Sequence, residues 1–153
     1  MSVLLLSTAV PALAEESKPM RSNLLEESND QKAAELIVRK YMEFLHSADT
    51  ESIMKLYDED AVFLPADAPT VVGKAKIRES YITNFKIMNI PEGESTVEEA
   101  TIHGDLAIVR LATKSTVVIL STKEKISTNA RELFVLKKMG GAFKISRYMF
   151  NQS

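Results

Sequence analysis

The 153-residue sequence predicts an α+β domain, three N-terminal helices packed on the concave face of a curved, mostly antiparallel sheet, and three observations carry that reading. Apolar residues recur at helical spacing in the first two thirds, as Ile37, Tyr41, Phe44 and Ala48, then as Ile77, Tyr81, Phe85 and Met88. From Thr96 onward Val, Ile and Thr dominate, and the punctuation becomes Gly104-Asp105, Ser121-Thr122 and Gly140-Gly141, the turn signals of a four-stranded antiparallel meander. The strands between those turns exceed the usual five or six residues or so, and long strands twist and coil, so the sheet curves around whatever packs on it.

Composition fits one globular domain: 45% of residues are hydrophobic and 26% charged. A net charge of -2 offers no basic face for phosphates, which sets nucleic acid aside as a partner. Absence of cysteine removes disulfides, thiolate catalysis and Cys-based zinc sites.

At the N-terminus, residues 1–14 combine a short apolar run, Val3 to Val10, with Pro11 and an Ala12-Leu13-Ala14 end, the pattern of an export signal cleaved after Ala14. The expected location is periplasmic or secreted. The run is too short to span a bilayer, so no stable membrane insertion is expected. Residues 15–28 are polar, with one proline, and read as a flexible linker or a frayed lead-in to the first helix. A single domain over 29–153 follows.

Ser28 with Gln31 has capping-box spacing and starts the first helix. Asp49 caps a second, short helix in which Ile53 and Tyr57 lie one turn apart. That helix stops at Asp58-Glu59-Asp60, whose carboxylates oppose the dipole of a helix C-terminus. Ala61 to Leu64 form a strand ended by Pro65, and a loop carries Asp67 and Pro69 to Gly73, where the third helix opens. Pro91 and Gly93 terminate that helix.

Ser47-Ala48-Asp49 between helices, Leu56-Tyr57 with Asp60-Ala61-Val62-Phe63, and Gly73-Lys74 with Ile77-Arg78 together resemble the nuclear transport factor 2-like superfamily, over about Gln31 to Asn151. This group includes ketosteroid isomerases, SnoaL-like polyketide cyclases and small exported domains without an assigned reaction. The ending Arg147-Tyr148-Met149-Phe150-Asn151 is similar to the last strand of small SnoaL-like proteins. The resemblance implies a cone-shaped pocket and a homodimer formed through the sheet. It places Tyr41 at the isomerases' oxyanion-donor position, with Tyr57 and Tyr81 at the positions of two supporting tyrosines. The family's two catalytic aspartates correspond to Pro65 and Phe134, neither of which can move a proton, so ketosteroid isomerase activity is not expected.

A pocket lined by Tyr41, Tyr57, Phe63, Tyr81, Phe85, Phe134, Tyr148 and Phe150 is therefore expected, suited to a small apolar or aromatic molecule. Glu132 shares strand parity with Ala130, Phe134 and Leu136, which would desolvate its carboxylate and makes it the leading acid/base candidate; an ion pair with Arg110 is the bland alternative. Asp67 is a second base candidate if its loop folds inward. His46 and His103 sit near a helix end and a turn, where solvent exposure is expected. No motif calls for a metal or a cofactor. Three functions remain open: ligand binding, cofactor-free isomerase, cyclase or hydrolase chemistry with Tyr41 as donor, and association through the outer sheet face at Leu133 and Val135.

Overall fold

The computed structural model describes residues 17–152, so the expected export signal lies outside the described residues. Three helices, α1 (Ser17–His46), α2 (Thr50–Leu56) and α3 (Lys74–Ile87), accompany six strands: β1 (Tyr57–Leu64), β2 (Val71–Val72), β3 (Met88–His103), β4 (Leu106–Ile119), β5 (Lys125–Met139) and β6 (Ala142–Gln152). The strands form one sheet in the order β2-β1-β6-β5-β4-β3. Every pairing is antiparallel except β1 on β6.

Burial alternates along the long strands because side chains alternate between faces. Ala107, Val109, Leu111 and Thr113 of β4 and Glu132, Phe134 and Leu136 of β5 point inward and are buried; Arg110, Lys114 and Arg131 point out and are exposed. Onto that inner face α1 lays Ala34, Val38, Tyr41 and Met42, while α2 adds Ile53 and Met54 and α3 adds Ile77 and Tyr81. An ion pair from Lys138 to both carboxylate oxygens of Asp30, 2.9 Å each, ties α1 to the end of β5. Asp49 caps α2 as expected, accepting from the Ser52 amide at 3.0 Å.

Several boundaries differ from the sequence reading. The first helix begins at Ser17, so Ser28 lies inside it and residues 17–27, expected to be linker or a frayed lead-in, are helical. Tyr57 is not in α2 but opens β1, and Asp58, Glu59 and Asp60 belong to that strand. They fall where β1 loses register against β6, between Tyr57 and Val62, so an irregular stretch of strand hosts three acids without burying them. Met88 opens β3 rather than ending α3, and Pro91 and Gly93 lie inside β3. A proline can sit there because β3 is an edge strand and its register shifts between Asn89 and Glu92.

Gly93 answers a packing demand. A Cβ at this position would lie 2.6 Å from the Ser115 Oγ, 2.9 Å from the Lys114 carbonyl oxygen and 3.1 Å from the His46 Nε2. Gly73, with φ of +88°, caps α3 in a conformation that side chains disfavour, and its amide donates to the Ala61 carbonyl at 2.8 Å.

Candidate functional site

Between the C-terminal halves of α1 and α3 and the inner sheet face lies a cavity of about 340 Å³. Its walls are largely apolar, built from Met42, Leu45, Phe63, Phe85, Val117 and Ile119, among others. Half-exposed Ile126 and exposed Gln152 also border it. The polar groups Tyr41, Tyr81, Tyr148, Thr113 and Glu132 gather at its buried end.

Each of those side chains is delivered by a specific local feature. Tyr41 and Tyr81 come from the buried stripes of α1 and α3. Tyr148 depends on an irregularity in β6: Leu136 pairs with Ile145, whereas Val135 pairs with Arg147, so Ser146 is an extra residue. Without that bulge, parity would turn Tyr148 and Phe150 outward whenever Phe143 and Ile145 point in. Glu132 arrives by the alternation of β5.

The tyrosines form a hydroxyl chain. Tyr41 and Tyr81 share a hydrogen bond of 2.7 Å, and Tyr57 and Tyr81 one of 3.1 Å. The Tyr148 hydroxyl donates to the Glu132 Oε2 at 2.9 Å. Around them the rings stack: Phe63 lies parallel to Tyr148 at 5.2 Å and to Tyr81 at 5.7 Å, and Phe134 stacks on Tyr148 at 4.3 Å. Burial holds all four phenols well above their ordinary pKa, so they remain neutral hydroxyls.

Glu132 is 4% exposed, and burial pushes its carboxyl up. Hydrogen bonds from Thr113 and Tyr148 pull in the opposite direction and leave the net shift upward. The anticipated ion pair with Arg110 does not form: Arg110 projects from the outer face and bonds Glu98 and Glu99. Among the described residues Glu132 thus has hydroxyls, and no cation, as its partners.

Of the residues anticipated for the pocket, Tyr41, Phe63, Tyr81, Phe85, Tyr148 and Phe150 line it. Tyr57 and Phe134 do not. Both are fully buried behind the wall, Tyr57 reaching Tyr81 by its hydroxyl and Phe134 backing Tyr148 by its ring. Asp67 is exposed and away from the cavity, at a left-handed turn with φ of +54°, so its loop does not fold inward. His103 is exposed as expected. His46 is not fully exposed: its Nε2 is buried without a hydrogen-bond partner among the described residues, and desolvation lowers the ring's pKa.

Thr113, Ser115, Thr128 and Asn84 also border the cavity, unanticipated from the sequence. A signal for the first two was present, since Ala107, Val109, Leu111, Thr113 and Ser115 share one parity and the polar pair interrupts an apolar face.

Residues 38–147 match the family model of the SnoaL-like domain. The chain belongs to that family. A ketosteroid isomerase-like protein from Erwinia carotovora atroseptica SCRI1043 is 25% identical, with a TM-score of 0.76 over 80% of this chain and 95% of its own. A conserved protein from Planctomyces limnophilus DSM 3776 is 19% identical, with a TM-score of 0.71 over 82% of this chain and 98% of its own. A candidate dehydratase of the nuclear transport factor 2-like family from Streptomyces avermitilis is 13% identical and shares the fold, with a TM-score of 0.70 over 82% of this chain and 97% of its own. No curated protein matches. Family and architecture agree with what the motifs around Tyr57 and Gly73 implied, and one scaffold of this kind hosts many activities.

Proposed function

We propose that this SnoaL-like domain binds a small apolar molecule, aromatic or alicyclic, in the cavity between its helices and sheet, with the molecule's polar end against Glu132 and the tyrosine hydroxyls. The observation that carries this reading is the division of the cavity: apolar walls, and at the buried end a carboxylate and hydroxyls that only a suitably placed polar group can engage. Binding sites for small molecules combine apolar area with few polar groups in this way. Nile red provides a direct test, because its emission rises on entering an apolar site. Saturable binding at one dye per chain is expected, and Ala130→Trp, which fills the cavity from β5, should abolish it with an unchanged circular dichroism spectrum. Equal dye binding by this variant would sink the proposal.

A second reading follows from Glu132 itself. A carboxyl with a raised pKa beside neutral phenols can accept a proton from carbon while a tyrosine steadies the resulting enolate, which is cofactor-free isomerase or cyclase chemistry. Tyr41 would be the donor and Glu132 the acid/base; Asp67 is too remote to share the role. Exchange of the α-hydrogens of 2-tetralone in D2O, followed by NMR, distinguishes catalysis from binding alone. Enzyme-dependent exchange that disappears in Glu132→Gln supports catalysis, and exchange no faster than buffer removes it.

A further inference from the structure

The hydroxyl chain has a direction, and that direction constrains the ligand. Tyr57 does not reach the cavity, and the geometry of its 3.1 Å contact with the Tyr81 hydroxyl lets either oxygen donate; because Tyr57 is buried and Tyr81 is its hydroxyl's partner among the described residues, its proton is satisfied only when given to the Tyr81 oxygen. Either oxygen could also donate across the 2.7 Å contact of Tyr81 with Tyr41, and with Tyr57 donating to Tyr81 the Tyr81 proton is satisfied by going to the Tyr41 oxygen. On the other side Tyr148 spends its proton on the Glu132 Oε2 at 2.9 Å. Four tyrosine hydroxyls hold four protons, and three are committed within the cluster. The proton of Tyr41 is left, with the oxygen of neighbouring Tyr148 as a further acceptor, their rings 5.1 Å apart. Thr113 already hydrogen-bonds Glu132, so against the one remaining donor stand the lone pairs of Tyr41, Tyr148 and the unfilled acceptor sites of the Glu132 carboxylate, which lines the cavity and has no cation beside it among the described residues. The buried end is short of donors.

Resting on the binding reading above, we infer that the ligand carries a hydroxyl on its apolar body, a phenol or alcohol, whose O–H donates to Glu132 while its oxygen can accept from Tyr41. A ketone of the same shape can take only the second bond, and by filling the cavity it would leave the carboxylate lone pairs that Tyr148 and Thr113 do not engage desolvated and without a donor. Buried charged acceptors denied a donor are penalised more than neutral ones, so the two ligand types separate in affinity.

The test compares 2-naphthol, 2-tetralone and naphthalene by isothermal titration calorimetry at neutral pH, with the full chain. Expected is 2-naphthol binding roughly tenfold or more tighter than either of the others, the ratio that one hydrogen bond to a charged acceptor supplies. In Glu132→Gln the carboxamide keeps an oxygen for Tyr148 and turns an NH2 group toward the cavity, so the preference should shrink or invert toward 2-tetralone. The wild-type comparison stands without the variant should the latter not fold. Equal affinities for 2-naphthol and 2-tetralone overturn the requirement for a donor and leave cavity binding standing. Binding of none of the three overturns both, and a Glu132→Gln preference identical to the wild type's overturns the assignment to Glu132.

Discussion

Tyr57 shows how a residue outside the cavity can still act on it. Its hydroxyl supports Tyr81, which in turn supports Tyr41, so removing the first link leaves a buried oxygen short of one donor. Tyr57→Phe should therefore cost about 1 kcal/mol in urea denaturation, the net value of one buried hydrogen bond. A loss near zero would show that the hydroxyl is idle. Glu132 gives a second prediction at this scale, through pH. Burial raises its carboxyl pKa, so in the native protein it holds a proton that the unfolded chain has already released. The stability it contributes is complete below the ordinary glutamate value of about 4.3 and declines as pH rises through the window up to the raised value. Glu132→Gln does not titrate, so its urea midpoint relative to wild type should climb across that window and then level off. A constant offset at every pH would mean that the carboxyl titrates alike in both states.

At the scale of elements, the close approach of β3 to β4 and the end of α1 depends on Gly93 having no side chain. A Cβ there meets the Lys114 carbonyl at 2.9 Å, and a backbone atom in a paired strand cannot step aside without disturbing the ladder. Gly93→Ala should cost about 1–3 kcal/mol, the usual penalty for forcing an extra carbon into a packed site. Thermal unfolding followed by circular dichroism checks it, and an unchanged midpoint would show that the strands yield freely. The same glycine shows where sequence reasoning lost its way. Pro91 and Gly93 look like punctuation, yet an edge strand with a register shift accommodates both, and pairing partners more than 20 residues away decide this, not the local composition. The start of α1 was hidden for a related reason: in residues 17–27 the large apolar side chains are Met20, Leu24 and Leu25, all of them exposed, so no core-facing stripe set a helix apart from a linker or a frayed lead-in. Tyr41, Tyr81 and Glu132 were legible because each depends only on the period of its own element. Tyr148 was anticipated in the pocket, although the bulge at Ser146 that aims it there was not visible.

At the scale of the whole molecule, the sheet has two faces and the helices cover one. On the other, Ile108 pairs with Val135 and Leu133 lies between Arg110 and Met149, which places apolar side chains on three adjacent strands. Leu133, Val135 and Ile108 are only partly buried in the single chain, and Met149 and Leu106 are exposed. Antiparallel sheets tolerate one wet face when it is polar, whereas a contiguous apolar patch there calls for a cover. We propose that a second copy supplies it, because a two-fold pairing sets the same patch against itself and needs no other partner. Sedimentation equilibrium should then report twice the chain mass. Val135→Glu puts a carboxylate in the patch, between Ile108 on one side and Arg147 on the other, where pairing would desolvate its charge together with that of Arg147, while leaving the inner face and cavity untouched. This variant should sediment as a monomer and still bind Nile red at one dye per chain. A wild-type protein that stays monomeric at high micromolar concentration, or a Val135→Glu variant that remains dimeric, would defeat the pairing through this face.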